Sequence, residues 1–406
     1  MGSYRPDFNG FFTVDLDQQW RPKRGNSTSI AQSRAIYLNI EAYRAAAPAD
    51  KPRFLKAVNQ GVDFLLTYFK DSKYGGFYWE VRPEGTVKDN MKQGYGNVHP
   101  LFVLAQAYGV TKNPAHLAAA LDQLAVIKKY FLDPKYPGGI RPGFNEDFTK
   151  VEGVNNIDTF THWFEALLAL YDVTEGEAHT EIGQLIEQHG YFLVQHLYHD
   201  QEGFNDRGYV AYNYDEQWQP SQQPYTRNTQ WSVARHATTG HNIELAYLLS
   251  RAFERGFKHP EWLAVSEKLI NFCLLYAIDP QHGGMLYEIL DYDGKPLAGN
   301  PDNDLFVWWA QAETARALLH YTVVWDKPYG TNFKAVERLL HEELTDHKYG
   351  GWVSYLRKTD NGLMPEDFAK GNVWKVNYHY SMFFAEVLRL QEVYRDKLAG
   401  LEKAKK

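Results

Sequence analysis

Thr239-Gly-His-Asn-Ile-Glu-Leu-Ala-Tyr-Leu-Leu249 is the stretch whose reading decides the fold. Thr239 and Gly240 have the character of a helix start, and Ile243, Tyr247 and Leu248 then recur at helical spacing. His241 and Glu244 are three apart and so share one face of the first turn. Polar groups at one helix end, with an apolar body behind them, suit the mouth of a pocket. For this pair alone, a helix-end histidine and a glutamate complementing the helix dipole is an equally good reading. Recurrence along the chain tips the balance.

Working outward, a punctuation mark repeats every 60 to 80 residues: a lead-in, one or two glycines, then an alternating strand-like run. It stands at Asn9-Gly-Phe-Phe12, Tyr74-Gly-Gly-Phe-Tyr78, Pro137-Gly-Gly-Ile140, Glu202-Gly-Phe204, His282-Gly-Gly-Met285 and Tyr349-Gly-Gly-Trp352. Turn chemistry follows several of them, as in Pro83-Glu-Gly85, Asp293-Gly294 and Asp360-Asn-Gly362, which predicts short hairpins. Between the marks lie pairs of helical patterns. First members begin near Ala31, Val98, Thr159, Gly240, Phe306 and Asn377, and are apolar round most of their circumference. Second members, over 51–69, 113–131, 178–197, 260–277 and 331–344, carry charge on one face. A helix apolar all round is a buried helix. The pattern predicts an inner ring of six and an outer ring of five, an all-α (α/α)6 barrel with short β-hairpins between helix pairs. A sixth outer helix has no candidate. No Pro/Ser/Gly linker divides the chain, so one domain over 4–398 is expected. Residues 1–3 read as an expression scar and 399–406 as a frayed tail.

Composition narrows the partners. Net charge is −7 with both signs interspersed, and no basic patch points to nucleic acid. No apolar run is long enough to span a membrane. Cys273 is the single cysteine, which excludes an intramolecular disulfide and a cysteine-based zinc site and fits the cytoplasm, with the periplasm as the other compartment. The 28 Tyr, 23 Phe and 11 Trp suit a pocket that stacks flat, partly polar ligands such as sugar rings.

At the loop-bearing end of such a barrel the heads of the inner helices converge. They offer Arg34, His99, His162, His241 with Glu244, Trp309 with Glu313, and His379. A lone buried histidine is usually a satisfied core residue; four at equivalent positions are not. Three chemistries compete. Metal binding lacks a His-Glu-x-x-His motif or a His pair four apart on one helix, and no metal or cofactor is expected. Glycoside hydrolysis could use Glu244 and Glu313 as its two carboxylates but leaves the histidines idle. Proton transfer beside a carbonyl uses the whole set: two histidines exchanging a proton on opposite faces of an enediolate, an arginine on the oxyanion, and glutamates orienting them.

Gly240-His-Asn-Ile-Glu244, Trp308-Trp-Ala-Gln-Ala-Glu313 and Trp374-Lys-Val-Asn-Tyr-His379, with the weaker Gln32-Ser-Arg34 and Thr161-His-Trp-Phe-Glu-Ala166, resemble the N-acylglucosamine 2-epimerase superfamily, most closely its cellobiose and mannose 2-epimerase branch. The resemblance implies an (α/α)6 barrel and cofactor-free epimerisation of an aldose at C2 through a ring-opened enediolate. It implies His241 and His379 as the acid/base pair, Arg34 at the oxygens of C1 and C2, and His162, Glu244, Trp309 and Glu313 around the sugar, with His99 also expected to bind it. The small-molecule sugar would be the only partner of a monomer or homodimer. Tyr247 stands where the disaccharide epimerases usually carry Trp, and His99 where they carry an apolar aromatic. Both are expected to shape the sugar pocket, which leaves substrate size open: free D-mannose and D-glucose are the preferred reading, and a disaccharide such as cellobiose or mannobiose is its alternative. Mannose-to-fructose isomerisation, hydrolysis or lysis of an oligosaccharide, and sugar binding without catalysis are the rival readings.

Overall fold

The computed structural model describes residues 6–7, 10–23, 25–225 and 233–404. Asn9 of the first punctuation mark, residues 1–3 and the last two residues of the tail lie outside them. Eleven helices occur among the described residues: α1 (Ser29–Ala45), α2 (Lys51–Phe64), α3 (Gly94–Thr111), α4 (Pro114–Val126), α5 (Ile157–Tyr171), α6 (Gly176–Phe192), α7 (Thr239–Glu254), α8 (Pro260–Tyr276), α9 (Trp308–Trp325), α10 (Gly330–Arg338) and α11 (Tyr378–Ala404). The odd-numbered helices touch in ring order, α1 to α3, α5, α7, α9 and α11, and α11 returns to α1. They are the helices expected to be inner. In α7 every residue from Thr239 to Ser250 is buried. One apolar cluster draws side chains from all eleven helices, and each fully buried Leu, Ile or Phe in it contributes roughly 1.5–3 kcal/mol. No outer helix backs α11 among the described residues, and Phe384, Leu388 and Tyr394 on it are exposed.

The predicted outer spans fit closely. Four of the five run on into a wider π-type turn, over residues 65–69, 127–131, 193–197 and 339–344. The chain then enters the glycine marks. In three of them an aspartate caps the turn: Asp71 accepts from the amides of Lys73 and Tyr74, Asp133 from Lys135 and Tyr136, and Asp346 from Lys348 and Tyr349. Gly75 and Gly76 that follow Asp71 sit at φ +85° and +70°, a conformation L side chains rarely adopt.

What positions the site is a repeated backbone tie. The two or three residues before each of the first five inner helices pair antiparallel with the hairpin that follows the next outer helix. Ser27–Thr28 pairs with Glu80–Val81, Lys92–Gln93 with Gly143–Phe144, Asn155–Asn156 with Asn213–Tyr214, Ala237–Thr238 with Ile289–Leu290, and Leu305–Val307 with Tyr355–Arg357. The N-termini of the inner helices are thereby gathered at the hairpin end.

One start differs from the expected one. Helix α3 begins at Gly94 rather than near Val98, its first turn holding two glycines, which are poor helix formers. Gly96 lies in the helix, and glycine is required there because a Cβ would come within 2.7 Å of the Ser29 hydroxyl and 2.9 Å of the Trp79 ring. Pro100 has no N–H for the Gly96 carbonyl four residues back, and Ser29 Oγ donates to that carbonyl instead, at 2.8 Å.

Candidate active site

The heads of the inner helices and the hairpins enclose a cavity of about 750 Å³. Five of the eight predicted residues line it: Arg34, His162, His241, Trp309 and His379. His241 and His379 share this one cavity and pack on the same indole, with ring centroids 4.7 Å and 5.3 Å from that of Trp309. Gly240 makes this possible, because a Cβ there would meet the Trp309 ring at 2.4 Å.

His99, Glu244 and Glu313 lie one layer down and do not reach the wall. His99 packs edge-on against Tyr95 and tilted against His162, at centroid distances of 4.9 Å and 4.7 Å, and neither of its ring nitrogens finds a hydrogen-bond partner among the described residues. Tyr95, one helical turn earlier, takes the place on the wall expected of His99. Tyr247 is also remote: six positions past His241, it donates to Glu386 Oε2 at 3.0 Å and lines a separate hollow of about 270 Å³ at the other end of the helices. Neither departure from the disaccharide epimerases therefore forms the sugar-sized cavity.

The deeper layer sets the chemistry of the upper one. Glu313 Oε1 accepts from His379 Nδ1 at 2.7 Å, which leaves Nε2 as the free ring nitrogen of a residue on the cavity wall. Burial, reinforced by the charges of Arg34, His162 and Arg316, keeps His379 well below the ordinary histidine range, so it stands neutral, with one ring nitrogen unprotonated. Burial pushes the Glu313 carboxyl up to about 7, against the pull of Arg316, whose guanidinium is 2.7 Å away. Glu244 is fully buried, and both its oxygens lack a hydrogen-bond partner among the described residues. Burial and the neighbouring Glu313 and Glu165 hold its carboxyl well above the usual range. His162 bonds Glu165 Oε2 through Nδ1 at 3.0 Å and faces the Tyr95 hydroxyl through Nε2 at 3.3 Å. Arg34 donates to the Trp374 carbonyl at 3.0 Å and to the Tyr95 hydroxyl at 2.5 Å, and its guanidinium lies over the Tyr378 ring.

His241 is held from both sides. Nδ1 lies 2.8 Å from Thr238 Oγ1, and Nε2 lies 2.7 Å from Asp158 Oδ1. Asp158, which the sequence reading passed over, heads α5 one turn before His162. Burial raises its carboxyl, but the interactions with His241 and the Tyr212 hydroxyl outweigh that and hold it below the usual range. Tyr212, Glu288, Tyr355 and Trp374 come to the wall from the loops and hairpins and were likewise missed as site residues. Burial pushes the Glu288 carboxyl up to about 7.

Two buried triplets, His162/Glu165/Glu244 and Glu244/Glu313/His379, bring potential metal-donor atoms within 4.8 Å of one another. Arg316, 2.7 Å from Glu313 and 4.0 Å from Glu244, already sets a cation against these carboxylates.

Comparison with known proteins places this chain among the carbohydrate epimerases and isomerases, an isomerase class of enzyme. The chain belongs to the N-acylglucosamine 2-epimerase (GlcNAc 2-epimerase) family, whose model matches residues 10–381. It is 24% identical to a cellobiose 2-epimerase of Bacteroides fragilis over 93% of this chain and 92% of that one. It is 23% identical to a D-mannose isomerase of Marinomonas mediterranea over 89% and 86%. A crystal structure of a D-mannose isomerase superposes with a TM-score of 0.82 at 20% identity, covering 96% of this chain and 95% of the other. A helical fold is common to them, and no described helix here is long and apolar enough to cross a membrane.

Proposed function

We propose that this chain is a cofactor-independent sugar 2-epimerase that interconverts D-mannose and D-glucose by proton transfer at C2 through an enediolate. The observation that carries the reading is the pair His241 and His379, both on the wall of one cavity and both against Trp309. Neutral His379, with Nδ1 tied to Glu313, takes the C2 proton from one face; His241 returns a proton to the other. Arg34 stabilises the oxyanion that develops beside C2. His162 and Trp309 hold the sugar, while Glu313 and Glu244 act from below through His379 and Arg316. The scaffold is read as one (α/α)6 barrel domain over 4–398, working as a monomer or homodimer in the cytoplasm.

A second reading has support in the likeness to D-mannose isomerases. The same enediolate, reprotonated at C1, gives a ketose, so mannose would yield fructose. Cellobiose or mannobiose epimerisation is the third product pattern. Proton NMR of the purified enzyme with mannose, glucose, cellobiose and mannobiose, run in deuterated water, separates them. The expected result is glucose from mannose with deuterium at C2, lost by a factor of about 10²–10⁴ in His241→Ala and in His379→Ala. Fructose as the first product, or full activity in either variant, overturns the assignment.

A further inference from the structure

Aldohexoses arrive as closed hemiacetals, and C2 becomes acidic only after the ring opens. Opening requires a base for the O1 proton and an acid for O5, two oxygens on one carbon. Any candidate must be reachable from the cavity. Glu244 and Glu313 are not, since their side chains are 0% exposed. The Asp158 side chain is 25% exposed, on the cavity wall, with Oδ1 2.7 Å from His241 Nε2. Its Oδ2 accepts from the Tyr212 hydroxyl at 2.5 Å. Each carboxylate oxygen keeps a second lone pair, so these bonds leave room for a sugar hydroxyl.

We propose that Asp158 is a catalytic residue of ring opening, acting with His241 as a coupled base and acid on the two oxygens of C1. This rests on the aldose reading above. The Asp158 carboxylate takes the O1 proton as the C1–O5 bond breaks and C1=O1 forms. The protonated His241 gives its Nε2 proton to O5. Asp158 is then a neutral acid beside a neutral imidazole, and its proton crosses the 2.7 Å bond to Nε2, restoring the starting pair with no net proton gained or lost. Tyr212 steadies Oδ2, and Thr238 fixes the far nitrogen of the ring.

The test isolates opening from C2 chemistry by NMR exchange between the α and β anomers of D-glucose, with C2 deuterium incorporation read in parallel. Wild type and His379→Ala should both accelerate anomer exchange, although the latter has lost C2 labelling. Asp158→Asn should lower enzyme-dependent anomer exchange by about 100-fold or more, in either background. Asp158→Glu keeps the carboxylate but displaces it, and should recover part of what Asn loses. Should the Asn variant not fold, the Glu variant alone carries the test, with at least a tenfold drop expected. Anomer exchange at the wild-type rate in Asp158→Asn, or in the Glu variant where it alone folds, overturns the proposal and leaves the epimerase reading intact. Absence of both anomer exchange and C2 labelling in wild type, with every aldose, overturns that reading itself.

Discussion

Gly240→Ala is the sharpest single perturbation of this site. The residue is helical and not at positive φ, so the backbone welcomes a side chain; in an open helix, alanine would be favoured by about 1 kcal/mol. The neighbour decides the sign. The added carbon would stand 2.4, 2.7 and 2.9 Å from three atoms of the Trp309 ring, where ordinary contact begins near 3.4 Å. The indole must retreat by about 1 Å, and overpacking of this kind costs about 1–3 kcal/mol. The net effect on stability is then a loss of about 0–2 kcal/mol. The effect on rate is larger, because this indole is the surface against which both imidazoles rest, and a 1 Å misplacement can cost about 100-fold. Steady-state conversion of mannose, with urea unfolding in parallel, measures both. A second variant, Trp309→Phe with Gly240→Ala, removes the colliding edge, and its loss relative to Trp309→Phe alone should be under about tenfold. Wild-type turnover in Gly240→Ala would refute the reasoning, as would an equally severe loss whether Trp309 is kept or replaced.

Three further outcomes are expected. Ser29→Ala leaves the Gly96 carbonyl without its donor and should cost about 1–3 kcal/mol in urea unfolding; adding Pro100→Ala, which restores an N–H four residues on, should return part of it. Glu313→Gln keeps the shape beneath His379 but removes the charge opposite Arg316, so kcat should fall by about 100-fold with KM little changed. His189 is buried and neutral, its imidazole pushed down to about 4 by burial against the pull of two carbonyls. The unfolded chain binds its proton near pH 6.5, so this contribution is complete above that pH and is lost as pH falls towards 4. Between pH 7 and 4.5 it should remove about 2–3 kcal/mol of stability, a slope that flattens in His189→Gln when urea midpoints are compared at the two values.

The outline was legible because two signals rest on short-range physics. All-round apolar helices alternate with one-sided ones, and glycine marks follow where each outer helix ends. Five residues placed at helix heads do line the cavity. The depth of the others was not readable. His99, Glu244 and Glu313 sit on the right helix face but one turn below the wall, since position on a face does not fix height along the axis. Tyr95 and Asp158, four residues ahead of His99 and His162, hold the wall on α3 and α5; Tyr95 is flanked by Gly94 and Gly96, poor helix formers, and lies ahead of the start expected near Val98. Glu288 and Tyr355 reach the cavity through strand pairings between segments about fifty residues apart, a register that local patterning does not carry.

The backbone ties between helix lead-ins and hairpins divide labour across the molecule. Each tie engages only two or three residues, so what lies past it is free to change length without disturbing the cavity-wall residues anchored on the helices. The 355–366 hairpin shows the arrangement: its base is clamped to Leu305–Val307, Arg357 and Glu366 project to the cavity, and its tip at Asp360-Asn361-Gly362 stands clear. A lineage could therefore lengthen such tips to embrace a bulkier saccharide while inheriting its proton-handling apparatus untouched, and a protein engineer could graft them for the same end.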